Sequence, residues 1–204
     1  MRLTGVGSTI SFEKDIYRLL GKKTLLVDPA GEEILREHAE FTHIKSLLVG
    51  TKSINSNATT LNDLVSENFA AESNLILQID IESSEYGVLL SASEQLLNKF
   101  LIIVIEFHDL NRWKKKLLFD NLYEPAVRNL LSTHVPVHLH PNGFSGTFRL
   151  GRIRLPRVVE STFVRRSEIK ERHSFAIIPN PLDIDSRSRQ RIEIDFEALN
   201  QLHR

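Results

Sequence analysis

The chain has 204 residues, 41% of them apolar and 25% charged, enough to bury one core and too apolar for a disordered chain. Its 26 basic and 26 acidic residues cancel, so no global field favours nucleic acid or an anionic membrane. The absence of cysteine removes disulfides, thiolate catalysis and thiolate zinc sites. No apolar run approaches the roughly 20 residues that span a bilayer, and "MRLTGVGSTISFEK" lacks a signal-peptide pattern. The expectation is a cytoplasmic protein with a single domain over residues 1–183 and a polar tail over 184–204.

Strand-length apolar runs alternate with segments of helical period, the pattern of an α/β fold with a mostly parallel sheet. "RLTGVG" reads as a strand stub running into glycines. "SFEKDIYRLLG" sets Phe12, Ile16, Leu19 and Leu20 on one helical face and stops at Gly21. "KTLLVDPAG" is a buried strand halted by Asp28-Pro29, "GEEILREHAE" a short helix and "IKSLLVG" another strand. "TTLNDLVSENFA" starts as a helix capped by Thr60 with Asp63 three residues on. A strand over Leu75–Ile81, a helix in "SASEQLLNKF" and a strand over Leu101–Phe107 follow. A long amphipathic helix is expected from Leu110 to Thr133, interrupted at Pro125, with "RWKKK" as a solvated face. "VPVHLH" and "VVESTFVRR" read as neighbouring strands joined by the Gly-rich loop "PNGFSGTFRLGRIRLP". The strand "SFAIIP" and the turn "NPLD" come before the tail.

Several strands end in groups that carry chemistry. Gly5 and Gly7, with Val6 between them, precede a helix and would let backbone approach a ligand at its N-terminus. Asp28 follows about 20 residues later at the end of the next strand, where a dinucleotide-type site holds ribose hydroxyls with an acid. In "LQIDIESSEY" the strand period sends Asp80 and Glu82 to one side, while Glu85 reads as a helix-start carboxylate facing the dipole. Glu106 and His108 repeat the i, i+2 spacing, and so do His138 and His140, with Asn142 beyond them. Ligands of open α/β sheets bind beyond the carboxyl ends of parallel strands, so these residues should converge on one edge. His140 and Asn142 join them if their strand runs the same way. A general base acting on a hydroxyl fits the set, and a His/carboxylate metal site is the other chemistry it allows. No metal ligand set is assigned. Neither a G-x-S-x-G elbow nor a Walker loop is present.

"GVGSTISFE", "VDPAG", "TTLNDL", "LILQIDIESSEYGVL", "FLIIVIEFHDL", "VHLHPNGFSG", "LPRVVESTFVRR" and "NPLD" follow one another in an order that resembles FkbM-like S-adenosylmethionine-dependent methyltransferases, from about Gly5 to Asp183. The resemblance implies a Rossmann-like class I methyltransferase fold, with a mostly parallel seven-stranded sheet, its last strand antiparallel, and helices on both faces. It implies S-adenosylmethionine over Gly5, Val6 and Gly7, its ribose on Asp28, and Asp80 beside the methyl. It also implies transfer to a hydroxyl of a sugar or other small metabolite. Asp80 and Glu82 match the family's D-x-E, Glu106 and His108 its E-x-H, and His140 with Asn142 its H-P-N. Glu82, His108 and His140 are the expected catalytic residues, with His140 or His108 as the base, and Glu106 and Asn142 the expected acceptor contacts. Ser83 and Gly143 stand where the family usually has glycine and asparagine. The alternative is a non-catalytic binding or scaffold protein on the same fold.

Overall fold

The computed structural model describes residues 10–29, 40–52 and 57–171. Outside them lie the "RLTGVG" stub with Gly5, Val6 and Gly7, nearly all of "GEEILREHAE", the "SFAIIP" strand, the "NPLD" turn and the tail over 184–204. The sheet that carries the site runs β5-β6-β10-β7, with β5 at Leu75–Ile79, β6 at Phe100–Phe107, β7 at His134–Pro141 and β10 at Val159–Arg165. β5 pairs parallel with β6, and β10 runs antiparallel to both β6 and β7. The strands β5, β6 and β7 therefore point one way, which brings the ends of "LQID", "IEFH" and "HLHPN" to a common edge.

The sheet corrects the sequence expectation in one respect. Among the described residues this sheet has four strands rather than seven: β5, β6 and β7 share one direction, and β10, the last of them in chain order, lies antiparallel between β6 and β7. Three two-stranded pairs stand apart from it. The parallel pair β1 (Thr24–Val27) and β2 (Phe41–Ile44) is one, and β3 (Leu47–Leu48) with β4 (Ala58–Thr59) another. The single strand expected in "IKSLLVG" is thus two, broken at Lys45-Ser46. The third pair, the hairpin of β8 (Thr147–Leu150) and β9 (Ile153–Pro156), occupies what reads as a loop.

Helix α1, Ser11–Leu20, ends as expected at a left-handed Gly21 whose N–H closes on the Tyr17 carbonyl. Its packing differs from expectation. Phe12, Leu19 and Leu20 are exposed, and the helix rests through Ile10 and Tyr17 on Leu26 and Phe41 instead. Helix α2, Leu61–Asn68, is capped by Thr60, whose hydroxyl oxygen accepts from the Asp63 N–H. Helix α3, Glu85–Ser91, and the short α4, Glu94–Leu97, follow β5. The long helix expected over Leu110–Thr133 is broken. A 3₁₀ turn at Leu110–Lys114, a helical turn at Lys116–Leu118 and a π turn at Phe119–Tyr123 lead into a helix over Glu124–Thr133. Pro125 opens that last helix rather than interrupting it, since the first turn has no use for its missing N–H.

The core joins Leu77 and Ile79 of β5, Ile103 and Ile105 of β6, Tyr86 and Leu89 of α3, and Ala126 and Leu130 of the last helix. His134, at the start of β7, is fully buried. It bonds the Phe100 carbonyl through Nε2, and burial holds its pKa below the usual histidine value. Gly50 packs its backbone on α3, where an added Cβ would stand 2.2 Å from the Gly87 carbonyl oxygen. No described helix is long and apolar enough to cross a membrane.

Candidate active site

The β5 strand ends at Ile79, and the chain then turns through two consecutive left-handed residues, Glu82 at φ 49° and Ser83 at φ 79°. A side chain at φ +79° is strained, which gives a physical reason for glycine at this position. Ser83 is held there by its hydroxyl, which donates to the Asp109 carboxylate at 2.9 Å. Asp109 is itself left-handed and pairs with Arg112 at 3.0 Å. The turn after β5 and the turn after β6 are thereby tied together.

Between them stands His108, with 13% of its side chain exposed. Its Nδ1 lies 2.8 Å from Glu85 Oε1, and its Nε2 lies 3.5 Å from Glu82 and 3.8 Å from Asp80. Burial alone would lower the His108 pKa. The hydrogen bond to Glu85 and the charges of Glu85, Glu106 and Glu82 outweigh it and lift the pKa to about 9. The imidazole is therefore a cation at neutral pH, with no lone pair for a substrate proton. The pKa of Asp80 is also raised, to about 6, which for a carboxylate favours the neutral form, because it is buried and faces Glu106. Burial also raises Glu106, against a hydrogen bond from Asn142 Nδ2 at 2.8 Å. The Nε2 of His108 and one oxygen each of Asp80 and Glu82 lie within 4.8 Å of one another. We assign no metal there.

The expected residues fall into three groups. Asp80, Glu82 and His108 meet directly. Glu106 and Asn142 meet across the sheet through their hydrogen bond. His140 is linked to them by register: Glu160 of β10 sits opposite Glu106 on one side and opposite His140 on the other. Directly opposed residues share a face of the sheet, so Glu106, Glu160 and His140 form a row along the edge. His138 lies opposite Thr162, two residues further into the strand. Asp28 is buried at the end of β1, its backbone carbonyl bonded to His43 Nε2 at 2.9 Å.

Two residues of the cluster escape sequence reasoning. Glu160 is visible only once the strand register is known. Glu85 does start α3, as its position implies, but the sequence does not show that it is fully buried. Its Oε1 accepts from the backbone N–H groups of Ser83 at 3.1 Å and Ile81 at 3.4 Å as well as from His108. The available signal was its place at i−3 and i−4 to Val88 and Leu89, on the apolar stripe of α3.

The model of the methyltransferase FkbM domain matches residues 5–134 of this chain. The chain belongs to the FkbM methyltransferase family. The matched stretch of this FkbM methyltransferase covers the turn after β5, α3 and His108, and ends where β7 begins. No curated protein matches the sequence at a significant level. Among solved structures, the PH0226 protein of Pyrococcus horikoshii OT3 is similar over 81% of this chain and 82% of its own, with 8% identity and a TM-score of 0.39. A second Pyrococcus horikoshii protein, PH1948, carries the description "putative RNA methyltransferase". It is similar over 80% of this chain and 71% of its own, with 15% identity and a TM-score of 0.36.

Proposed function

We propose that this FkbM-family methyltransferase uses S-adenosylmethionine and methylates a hydroxyl oxygen of a small hydroxylated acceptor such as a sugar. The observation that carries the reading is the carboxyl edge of the sheet, where Asp80, Glu82, Glu85 and Glu106 gather about one cationic His108. Such an excess of carboxylate suits a cofactor that brings a sulfonium and an ammonium group. When bound, S-adenosylmethionine supplies a methyl carbon on a positively charged sulfur.

Gly5, Val6 and Gly7 would hold that cofactor together with Asp28, for its ribose, and Asp80. Glu106, fixed by Asn142, and Asn142 itself contact the acceptor. His140, in the same row of the edge, would accept the proton of the acceptor hydroxyl. Glu82 and the His108 cation, paired at 3.5 Å, line the approach. Alignment rather than covalent help from the protein supplies most of the acceleration in such a transfer. The order β5-β6-β10-β7, with its antiparallel insertion, and the separate parallel pair β1–β2 are consistent with one class I methyltransferase domain over residues 1–183.

Calorimetry with S-adenosylmethionine and S-adenosylhomocysteine tests the cofactor assignment. Binding of either is expected, and no binding at about millimolar concentration would favour a non-catalytic module. A panel of hydroxylated acceptors, read by release of S-adenosylhomocysteine, tests the acceptor class. Turnover confined to amine acceptors would overturn the oxygen assignment.

A further inference from the structure

We propose that Glu85 is the positioning residue of this site: from beneath, it holds His108 in one orientation, so that Nε2 is turned to Asp80 and Glu82. A carboxylate out of water is costly unless its partners are well placed. Glu85 has no exposed surface and gathers three N–H donors on Oε1, from Ile81, Ser83 and His108. Its other oxygen, Oε2, is buried with no partner among the described residues, so the hold on His108 runs through Oε1 alone.

The arrangement does two things at once. The bond to Nδ1 fixes which way the ring faces and supports its second proton, on Nε2. The bonds to Ile81 and Ser83 pin the left-handed turn that carries Glu82, and so keep this side chain, 87% exposed, within 3.5 Å of Nε2. Tyr86, next in sequence, donates from its hydroxyl to the His108 carbonyl at 3.0 Å and fixes the backbone of the same residue. The charged groups facing His108 are Asp80 and Glu82 from the turn after β5, Glu85 from α3 and Glu106 from β6. Of these, only Glu85 reaches Nδ1. It acts on the site through His108 and does not line it.

The orientation and protonation of His108 are independent of what the enzyme methylates; the kinetic arm of the test rests on the methyl-transfer reading. Nitrogen-15 NMR of the histidine rings is expected to show His108 protonated on both nitrogens through pH 8, with Nδ1 hydrogen-bonded. A wild-type His108 whose Nδ1 carries no hydrogen-bonded proton at pH 7 overturns the proposal whatever any variant does. Glu85→Gln keeps an acceptor for the two backbone N–H groups but loses the charge. It should move the His108 midpoint down by at least one pH unit, while Glu85→Asp moves it less. On the reading above, Glu85→Gln also lowers kcat at least tenfold and leaves the Kd for S-adenosylhomocysteine within threefold. A folded Glu85→Gln protein whose His108 titrates as in the wild type refutes the positioning role. Absence of turnover in the wild type refutes the methyl-transfer reading and leaves the NMR result to decide this one.

Discussion

The charge on His108 makes a specific prediction about stability against pH. An unfolded histidine titrates near 6.5, whereas in the fold His108 titrates near 9. The folded chain holds this proton more tightly, so the stabilisation is complete below pH 6.5 and is lost as the pH rises through 9. At about 1.4 kcal/mol per pH unit, that gap corresponds to on the order of 3 kcal/mol, or about two decades in the folding equilibrium. Asp80, raised to about 6, changes stability in the same sense but mostly below this window, whereas His134, held below its usual value by burial, acts in the opposite sense. The perturbation that isolates the term is His108→Gln, which carries no proton at any pH. Urea unfolding of both proteins at pH 6.5, 7.5, 8.5 and 9.5 gives the difference in stability at each point. The wild-type advantage should shrink by about 3 kcal/mol across the series, most steeply between about 7 and 8.5. An advantage that stays constant would mean that His108 is neutral in the fold and that Glu82, Glu85 and Glu106 do not hold its proton.

Gly50→Ala should destabilise by about 1–3 kcal/mol or more, because its Cβ meets the Gly87 backbone at 2.2 Å. For a chain of this size that is a fall in Tm of about 2–4 °C per kcal/mol. Gly87→Ala is the control: its Cβ has only the Gly50 nitrogen at 4.0 Å, and thermal unfolding should show it neutral or slightly stabilised. Ser83→Ala keeps φ at +79° and loses the bond to Asp109, which should cost about 1 kcal/mol in chemical denaturation. Ser83→Gly loses the same bond but relieves the left-handed strain, also about 1 kcal/mol, so it should unfold close to the wild type. His140→Ala should cut turnover by about 100-fold or more, with cofactor affinity by calorimetry within threefold. Unchanged turnover would remove His140 from the role of proton acceptor.

What the sequence made legible was local. Period-2 burial in "LILQI" and the i, i+2 acids beyond it are visible without coordinates, and so are Gly21 as a helix stop and Thr60 as a cap. What it concealed depends on partners distant in the chain. "FTHI" becomes a strand only because β1 lies parallel beside it. "PNGFSGTFRLGRIRLP" hides a hairpin because Gly151, at φ 60°, closes a turn whose flanking residues alternate only weakly. The Leu110–Thr133 stretch keeps a helical period through three different helical geometries, so periodicity alone could not expose the breaks at Lys115 and Phe119.

The same distinction separates Asp80 and Glu82 from Glu85. All three stand within six residues, and a one-dimensional reading ranks them by proximity to the strand end. In three dimensions the order changes. Glu82 is almost wholly in water and owes its place to a backbone turn, Asp80 is half-buried beside Glu106, and Glu85 lies beneath both. A carboxylate on the apolar stripe of a helix conflicts with local pattern, and such conflicts are tolerated where a buried partner resolves them. Here the partner is His108, 23 residues away at the end of the next strand. The edge of the sheet becomes one site through this pair, because Glu85 belongs to the element after β5 and His108 to the end of β6. Beside that link, the two strand ends are joined by Ser83 on Asp109 and by Tyr86 on the His108 carbonyl.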